Sequence, residues 1–140
     1  MTSLPAQVTP AGFDRLYGLE LVEVGEERAR ARVAVREELK QPLGLVHGGV
    51  YAAIAESLTS TATARAVARR GRVAVGLSNQ TSFLRPITEG TIHALALARH
   101  RGRTTWVWEV EMTDDAGALC VLSRMTIAVR EARAEPGRRA

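Results

Sequence analysis

The segment GGVYAAIAESLTSTATARAVARR, from Gly48 to Arg70, is the one long helical pattern in a chain of 140 residues, and the rest of the sequence is arranged around it. Apolar residues at positions 50, 54 and 58 recur at helical spacing, and a basic pair followed by Gly71 is typical of a helix end. Alanine, serine and threonine dominate the second half of the segment. Because small side chains let other backbone come close, we expect this helix to be largely enclosed.

The sequence before this helix predicts a short helix and a β-hairpin. Thr9 as N-cap, Pro10 at the first helical position and a closing Gly18 indicate the short helix. Residues 28 to 33, RARARV, alternate strictly between polar and apolar, which is the period of a half-buried strand. Residues 19 to 24 form the other half of the hairpin, with a turn at residues 25 to 27.

After the long helix the sequence predicts only strands. Their bounds are Arg72 to Leu84, Gly90 to His100, Thr104 to Thr113 and Leu119 to Val129, with a turn at Asp114 to Gly117 between the last two. A hairpin, one long helix and then a run of antiparallel strands belongs to the α+β class. The glycine patterns of Rossmann and P-loop proteins do not occur in the sequence.

Composition predicts a single domain over residues 1–140. The chain is 46% apolar and 24% charged, which is typical of a globular protein, and residues 131–140 form a basic tail that we expect to fray. The one cysteine, Cys120, excludes an intramolecular disulfide and a multi-cysteine zinc site. No segment has the length of a membrane span or the pattern of a signal peptide, so we expect a cytoplasmic protein that does not bind a membrane.

The charge of the chain is positive and comes almost entirely from arginine. The net charge is +4, and Lys40 is the single lysine among the 19 basic residues. Nucleic-acid binders interleave basic residues with aromatic ones, whereas aromatic residues make up only 4% of this chain. We therefore expect no nucleic-acid partner, and a smaller polyanion such as a nucleotide-bearing molecule fits the charge equally well.

The start of the long helix carries the residues that are most suggestive of chemistry. His47, Gly48 and Gly49 open the helix, where unpaired backbone N–H groups attract negative charge and glycine leaves room for a ligand carbonyl. Glu56 follows two turns later on a face that is otherwise apolar or small. An oxyanion site and a carboxylate are the two parts that acyl transfer needs. Taken singly, these residues also fit a tight loop, a core histidine and a carboxylate at the polar edge of the helix.

Four segments together resemble the hotdog-fold acyl-CoA thioesterases. They are Gly44 to Glu56, Asn79 to Pro86, Thr104 to Trp106 and Asp114 to Gly117. The resemblance covers roughly residues 14 to 133. It is closest to the 4-hydroxybenzoyl-CoA thioesterases of the Arthrobacter type and extends to the phenylacetate-pathway (PaaI-like) enzymes. It implies a long central helix wrapped by a curved antiparallel sheet, and dimers that join their sheets edge to edge and pair into tetramers, with active sites shared between two chains.

The resemblance implies catalytic roles for five residues. Glu56 matches the family's nucleophile or general base, and the Gly48 N–H matches the donor that polarises the thioester carbonyl. Gln41 matches a residue that lines the site, His47 matches the histidine that shapes the loop, and Ser60 matches a hydroxyl residue that positions water. Ser60 replaces the threonine of the Arthrobacter-type enzymes and keeps the hydroxyl.

Six further residues are implied in substrate and coenzyme A binding. Asp14 and Thr61 match positions near the acyl group, although Thr61 replaces an acidic residue of the Arthrobacter type. The positions that match contacts to the CoA phosphates and nucleotide are Arg85, Arg103, Thr104 and Arg133, of which Arg103 replaces a serine. An exposed arginine is also compatible with a merely solvated surface.

These matches predict an enzyme that hydrolyses an aromatic acyl-CoA, similar to 4-hydroxybenzoyl-CoA, to the free acid and CoA. No metal or redox cofactor is expected, because CoA is part of the substrate and a thiolate leaves without a strong acid. The expected partners are the acyl-CoA and further copies of the chain, in a homodimer or homotetramer. Alternatives are a broad-range or phenylacetyl-CoA housekeeping thioesterase, a non-catalytic acyl-CoA-binding protein, and a dehydratase, which His47 keeps open.

Overall fold

The computed structural model describes residues 9–133 of the chain. The helices are α1 (Phe13–Leu16) and α2 (Gly48–Ala68), and a single 3-10 turn covers Glu37–Leu39. The strands are β1 (Glu20–Val24), β2 (Arg28–Ala34), β3 (Arg72–Phe83), β4 (Thr91–Arg101), β5 (Thr105–Thr113) and β6 (Leu119–Glu131). The predicted strands are confirmed with shifts of one or two residues at their ends.

All six strands form one antiparallel sheet in the order β1-β2-β4-β5-β6-β3. The helix α2 lies against one face of this sheet and contacts every strand. The predicted α+β class, with a long helix on an antiparallel sheet, is confirmed. Strand β3 lies at an edge of the sheet, so one side of its backbone has no neighbouring strand among the described residues.

The core lies between α2 and the inner face of the sheet, as strand alternation predicts. In β2, Arg28, Arg30 and Arg32 are exposed while Ala29, Ala31 and Val33 are buried. Trp106, Trp108, Val110 and Met112 of β5 are buried in the same way. We call the opposite side of the sheet, which carries the β2 arginines, the outer face.

Two details of the sequence prediction are wrong. The first helix begins at Phe13 and not after Thr9, because Gly12 takes a positive φ of 57° that interrupts the helical path before Phe13. Leu119 is 38% exposed, although it was expected to start the apolar face of β6. Cys120 and Val121 are both buried in succession, so the alternation of β6 is broken at its first residues.

The long helix is less enclosed than its small residues suggest. Eight of its 21 residues are buried in the single chain, and these form one stripe that faces the sheet. The opposite stripe is exposed or half-buried. Small residues are therefore present on a face that the described part of this chain leaves open.

Within residues 9–133, no helix is long and apolar enough to cross a bilayer. The end of the basic tail, residues 134–140, lies outside the described residues, so its fraying stays a prediction.

Candidate active site

The open stripe of α2 forms one wall of a pocket of about 600 Å³ beside α1. Small residues give the pocket its space, and its polar side chains come from both helices. The lining residues are Ala11, Phe13, Asp14, Gly49, Ala52, Ala53, Glu56, Ser57, Ser60 and Thr61. Four of the residues predicted for catalysis or substrate binding, Asp14, Glu56, Ser60 and Thr61, therefore line one cavity.

The start of α2 is capped by a side chain. His47 is the N-cap residue, and its Nδ1 accepts a hydrogen bond of 2.8 Å from the Gly49 N–H. The imidazole therefore fixes the first turn, with Nδ1 unprotonated. The Gly48 N–H has no acceptor among residues 9–133, so it can donate to a ligand at the positive end of the helix.

Gly48 also has a packing requirement that the sequence did not indicate. A Cβ built on Gly48 would stand 2.7 Å from Cζ of Phe83, the last residue of β3. The Phe83 side chain is 59% exposed and lies beside the buried Tyr51 ring, with 6.0 Å between the ring centroids. Phe83 thus forms an apolar wall next to the first helical N–H groups.

Gln41 lies in the loop that leads into α2. Its side-chain Oε1 accepts a hydrogen bond from the Leu43 N–H, and its backbone N–H donates to Leu45 O at 2.9 Å. The loop is closed by a 2.8 Å bond from His47 N to Leu39 O. Gln41 is therefore positioned by its own loop near the helix start, outside the pocket that contains Glu56.

The Glu56 carboxylate lies against the middle of β3. A Cβ built on Gly76 would stand 3.4 Å from Glu56 Oε1, so the missing side chain of Gly76 makes room for this carboxylate. Sequence reasoning did not single out Gly76, although a glycine inside a strand pattern is a signal for close approach. Gly76 adjoins the irregularity that shifts the β3 register before Ser78.

Asp14 is held in place by two hydroxyl groups. Its Oδ1 accepts from Ser57 Oγ at 2.5 Å and from Tyr17 Oη at 3.0 Å. Burial raises the pKa of Tyr17, and the nearby Asp14 and Glu56 carboxylates add to this effect. Ser57 and Tyr17 were not predicted as site residues. Both hydrogen bonds end on one carboxylate oxygen, which leaves Oδ2 for a ligand in the pocket.

The Gly48 N–H and the Glu56 carboxylate of one chain lie far apart. Eight residues of helix correspond to about 12 Å along the axis. The carboxylate rests beside Gly76, whereas Gly48 rests beside Phe83, seven residues further along β3 and about 20 Å away along the strand. An oxyanion donor and an attacking group must both lie about 3 Å from the same carbonyl. A single chain therefore does not form the complete predicted site.

Three of the predicted CoA residues lie at one end of the sheet, in the β4–β5 turn and just after β6. Arg103 and Thr104 occupy the turn, and Arg133 follows β6. Arg72 Nη1 donates to Arg103 O at 2.5 Å, and Arg130 Nη1 donates to Thr104 O at 3.0 Å. We call the group formed by Arg72, Arg103, Arg130 and Arg133 the arginine end. It fits a phosphate-bearing ligand by charge and by donor geometry.

Arg85 lies at the opposite end of β3. Its backbone N–H donates to Cys120 O at 3.1 Å, two residues beyond Phe83. Since β3 begins at Arg72, next to Arg103, the length of the strand puts Arg85 about 35 Å from the arginine end of the same chain. The structure thus separates the four predicted CoA residues into two groups.

Across the described part of the chain, no three His, Cys, Asp or Glu side chains are grouped as metal ligands would be. The catalytic and binding roles assigned to single residues by resemblance stay predictions. Within one chain, Gly48 lies far from Glu56, and Arg85 lies at the opposite end of the sheet from the other predicted CoA residues. This separation is consistent with a site built from two subunits.

Comparison with known proteins gives a consistent assignment. Residues 43–121 match the model of the thioesterase superfamily. The chain is 34% identical over 122 residues to a 1,4-dihydroxy-2-naphthoyl-CoA hydrolase of Listeria monocytogenes, covering 87% of this chain and 98% of the relative. It is also 34% identical over 112 residues to the proofreading thioesterase EntH of Cronobacter turicensis, covering 80% of this chain and 81% of that protein.

A solved structure supports the same assignment. A thioesterase of Haemophilus influenzae superposes with a TM-score of 0.85 at 30% identity, covering 94% of this chain and 92% of that one. The superfamily match includes the helix start, Glu56 and the whole of β3. By its sequence and its fold, the chain belongs to the thioesterase superfamily and is, as predicted, an enzyme with the hotdog fold.

Proposed function

We propose that this thioesterase hydrolyses an aromatic acyl-CoA to the free acid and CoA in a site formed by two subunits. The observation that carries the proposal is the separation of the Gly48 N–H from the Glu56 carboxylate along α2. Each chain offers one half of an acyl-transfer site beside Gly76, within β3, and the other half beside Phe83, at the end of that strand. Two chains that pair through this edge would combine the halves.

The pairing follows from the position of β3 at the edge of the sheet. Two β3 strands related by a two-fold axis run antiparallel, so the end of one strand lies beside the beginning of the other. Gly76 with Glu56 would then approach Phe83 with Gly48 of the partner subunit. The same operation brings Arg85 towards the arginine end of the partner, so that both groups of predicted CoA residues serve one ligand.

The chemistry needs only the residues of the chain and water. Glu56 attacks the thioester carbonyl carbon directly or removes a proton from the attacking water, and the Gly48 N–H stabilises the oxyanion that forms. The C–S bond then breaks, and the CoA thiolate leaves and takes up a proton. Because the leaving group is a thiolate, this route requires neither a metal nor a redox cofactor.

An aromatic acyl group with a hydroxyl is the substrate class that Asp14 supports. The free Oδ2 of Asp14 is a hydrogen-bond acceptor in a pocket that has apolar walls of alanine, glycine and Phe13 beside the polar residues of α2. A ring fits the apolar walls, and a ring hydroxyl can donate to the carboxylate. The substrate in the name of the Listeria relative, a dihydroxynaphthoyl-CoA, has these features, as does 4-hydroxybenzoyl-CoA.

The test is a substrate panel with the purified full chain and two variants. We expect kcat/KM to be higher for hydroxyaryl-CoA than for benzoyl-, phenylacetyl- or straight-chain acyl-CoA. Glu56→Gln keeps the shape of the side chain and removes its charge, so turnover should fall by at least ~100-fold for every substrate. Asp14→Asn should lower the preference for a hydroxyl on the ring while the benzoyl-CoA rate changes little.

The outcomes are distinct. Glu38→Gln, which removes an exposed carboxylate from the 3-10 turn, is the control and should leave all rates unchanged. Equal rates across the panel would replace the aromatic substrate with a broad-range housekeeping function. Full activity of Glu56→Gln, with the circular dichroism spectrum of the wild type, would refute the proposed chemistry.

A further inference from the structure

Three polar side chains lie on the inner face of the sheet, and the proposed function gives them no role. They are Asn79 and Thr81 of β3 and Ser123 of β6. Thr81 pairs in register with Ser123, so these two side chains share one face of the sheet. The segment that opens at Asn79 is one of the four that resemble the thioesterases. The hydrogen bonds of these residues lead towards Glu56.

A β-bulge turns Asn79 inwards. The register of β3 against β6 shifts between Gly76 and Ser78, because Leu77 is an extra residue in β3. Side chains alternate between the two faces along a strand, so without the extra residue Asn79 would point to the outer face. With the bulge, both Gly76 and Asn79 face α2. The bulge therefore brings a polar amide close to the glycine that makes room for the Glu56 carboxylate.

The Asn79 amide reaches the backbone of α2. Its Nδ2 donates a hydrogen bond of 2.9 Å to Ala52 O. In an α-helix this carbonyl also accepts the N–H of the residue four positions later, which is Glu56. A carbonyl oxygen has two lone pairs and can accept both bonds. Asn79 therefore joins β3 to the turn of α2 that carries the predicted catalytic carboxylate.

The oxygen end of the amide is fixed by two hydroxyl groups. Thr81 Oγ1 donates to Asn79 Oδ1 at 2.6 Å and lies 2.9 Å from Ser123 Oγ. Because Thr81 gives its one hydroxyl proton to Asn79, Ser123 is the donor in the second bond. The two hydroxyl groups thus determine which end of the amide is oxygen. As a result, the amide N–H groups stay directed at Ala52 O.

We propose that Asn79 is a positioning residue for Glu56, an inference that rests on the proposed function. Two parts of β3 then set the place of the carboxylate. Gly76 leaves room for Oε1, and Asn79, beyond the bulge, holds the helical turn from which the side chain extends. Thr81 and Ser123 hold the amide itself. A polar network in which each member has its partner favours one arrangement of the groups that it joins.

Asn79 acts on the rate and not on substrate binding. It is not among the residues that line the pocket beside α1, whereas Ala52 and Glu56 both line it. Loss of the amide therefore removes no contact to the acyl group. It releases the turn that carries Glu56, so the expected effect is on kcat with little change in KM.

The first test is the steady-state kinetics of Asn79→Ala in the purified full chain with a hydroxyaryl-CoA. We expect kcat to fall about 10-fold, because a small displacement of a reacting group has a large effect on rate. KM should stay within about twofold of the wild-type value. Gln80→Ala removes an amide from the neighbouring exposed position of β3, and this control should leave both constants unchanged.

The second test determines whether Asn79 acts through Glu56. In the Glu56→Gln background, Asn79→Ala should lower the residual rate by less than about twofold, because the group that Asn79 positions no longer reacts. A merely structural role would disturb the whole pocket. The residual rate would then fall by the same factor as the wild-type rate does.

The third test uses Thr81, which orients the amide. Thr81→Val keeps the shape of the side chain and removes the hydroxyl, so kcat should fall by about threefold to 10-fold. Thr81→Ser keeps the hydroxyl and should retain the wild-type kcat. Circular dichroism at the assay temperature checks the fold of each variant. If Asn79→Ala does not fold, the Thr81 pair decides the inference by the same criteria, including the comparison in the Glu56→Gln background.

The inference is overturned if a folded Asn79→Ala has the wild-type kcat, if KM alone rises, or if the rate falls equally in both backgrounds. It is also overturned if Thr81→Ser loses as much activity as Thr81→Val. Failure of the proposed function gives a different result. Full activity of Glu56→Gln would refute both proposals, whereas an inactive Glu56→Gln with a fully active Asn79→Ala would refute only the positioning role.

Discussion

The carboxylate of Glu56 lies against the backbone of Gly76, so that a Cβ on Gly76 would stand 3.4 Å from Glu56 Oε1. The predicted catalytic carboxylate is carried by α2, and β3 therefore supports it from outside the helix. This distance is an ordinary van der Waals contact for one methyl group and leaves no room for a branched side chain.

We expect Gly76→Ala to retain most of the activity and Gly76→Val to lower kcat by about 10- to 100-fold, because a small displacement of a reacting group has a large effect on rate. Steady-state kinetics on one acyl-CoA measure both. Ser78→Val adds the same side chain at an exposed position of β3 and serves as the control. Unchanged kcat in Gly76→Val would show that this contact does not position Glu56.

Substitution of Arg85 tests whether recognition of CoA is separate from the chemical step. Its exposed guanidinium is expected to contact a phosphate, an interaction of about 1 kcal/mol at a solvated rim. Arg85→Ala should therefore raise KM for acyl-CoA by about fivefold, with kcat nearly unchanged, and added salt should reduce this difference. An acyl-pantetheine, which lacks the nucleotide, should be insensitive to the substitution.

Two comparisons make the Arg85 result interpretable. Arg32→Ala removes an exposed arginine of β2 and should leave KM unchanged. If Arg85→Ala impairs acyl-pantetheine hydrolysis as strongly as acyl-CoA hydrolysis, then Arg85 supports the fold or the subunit contact and its assignment to CoA is wrong.

A buried hydrogen bond joins the sheet to the long helix. Trp108 Nε1 donates to Thr63 Oγ1 at 2.9 Å, and the Thr63 hydroxyl donates to Thr59 O at 2.8 Å. Thr63→Val keeps the volume and leaves the indole N–H without an acceptor, so unfolding in urea should show a loss of about 1 to 3 kcal/mol. Thr126→Val, on the outer face of β6, is the matched control. Equal stability of the two variants would contradict this role for the Thr63 hydroxyl.

The two tyrosines of the chain, Tyr17 and Tyr51, are both buried. Burial raises the pKa of each above the ordinary value of 10.0. The native protein keeps phenol protons that the unfolded chain releases near that pH, so the free energy of unfolding should fall as the pH rises above about 10. Phenolate absorbance should appear at higher pH in the native protein than in guanidinium. Identical titration curves under the two conditions would refute the burial of both phenols.

Local pattern was enough to predict most of the secondary structure. The period of the Arg-Ala repeat in β2, the helical spacing that starts at Gly48 and the turn at Asp114 to Gly117 all depend on neighbouring residues, and the structure contains each of them. Local pattern failed at α1, where a capping signal at Thr9 is overridden by the positive φ of Gly12. It also failed at Leu119, where β6 departs from alternation.

The residues of the predicted site were found from the sequence because their chemistry is unusual for their surroundings: a carboxylate on a small-residue helix and two glycines at a helix start. Their partners were not found. Tyr17 and Ser57 hold Asp14 only because α1 packs on α2, and Gly76 meets Glu56 only because β3 passes that turn of the helix. No sequence period relates such residues, since they are distant in the chain.

The sequence by itself determined the α+β class, the long helix and the residue types available for acyl transfer, because these follow from interactions within a few residues. The tertiary structure alone decided that Gly48 and Glu56 lie at different places along β3, and that Arg85 lies at the opposite end of that strand from Arg103. The physical reason is that strand order and register are set by packing over the whole core. Neighbouring residues in sequence do not encode which distant groups meet.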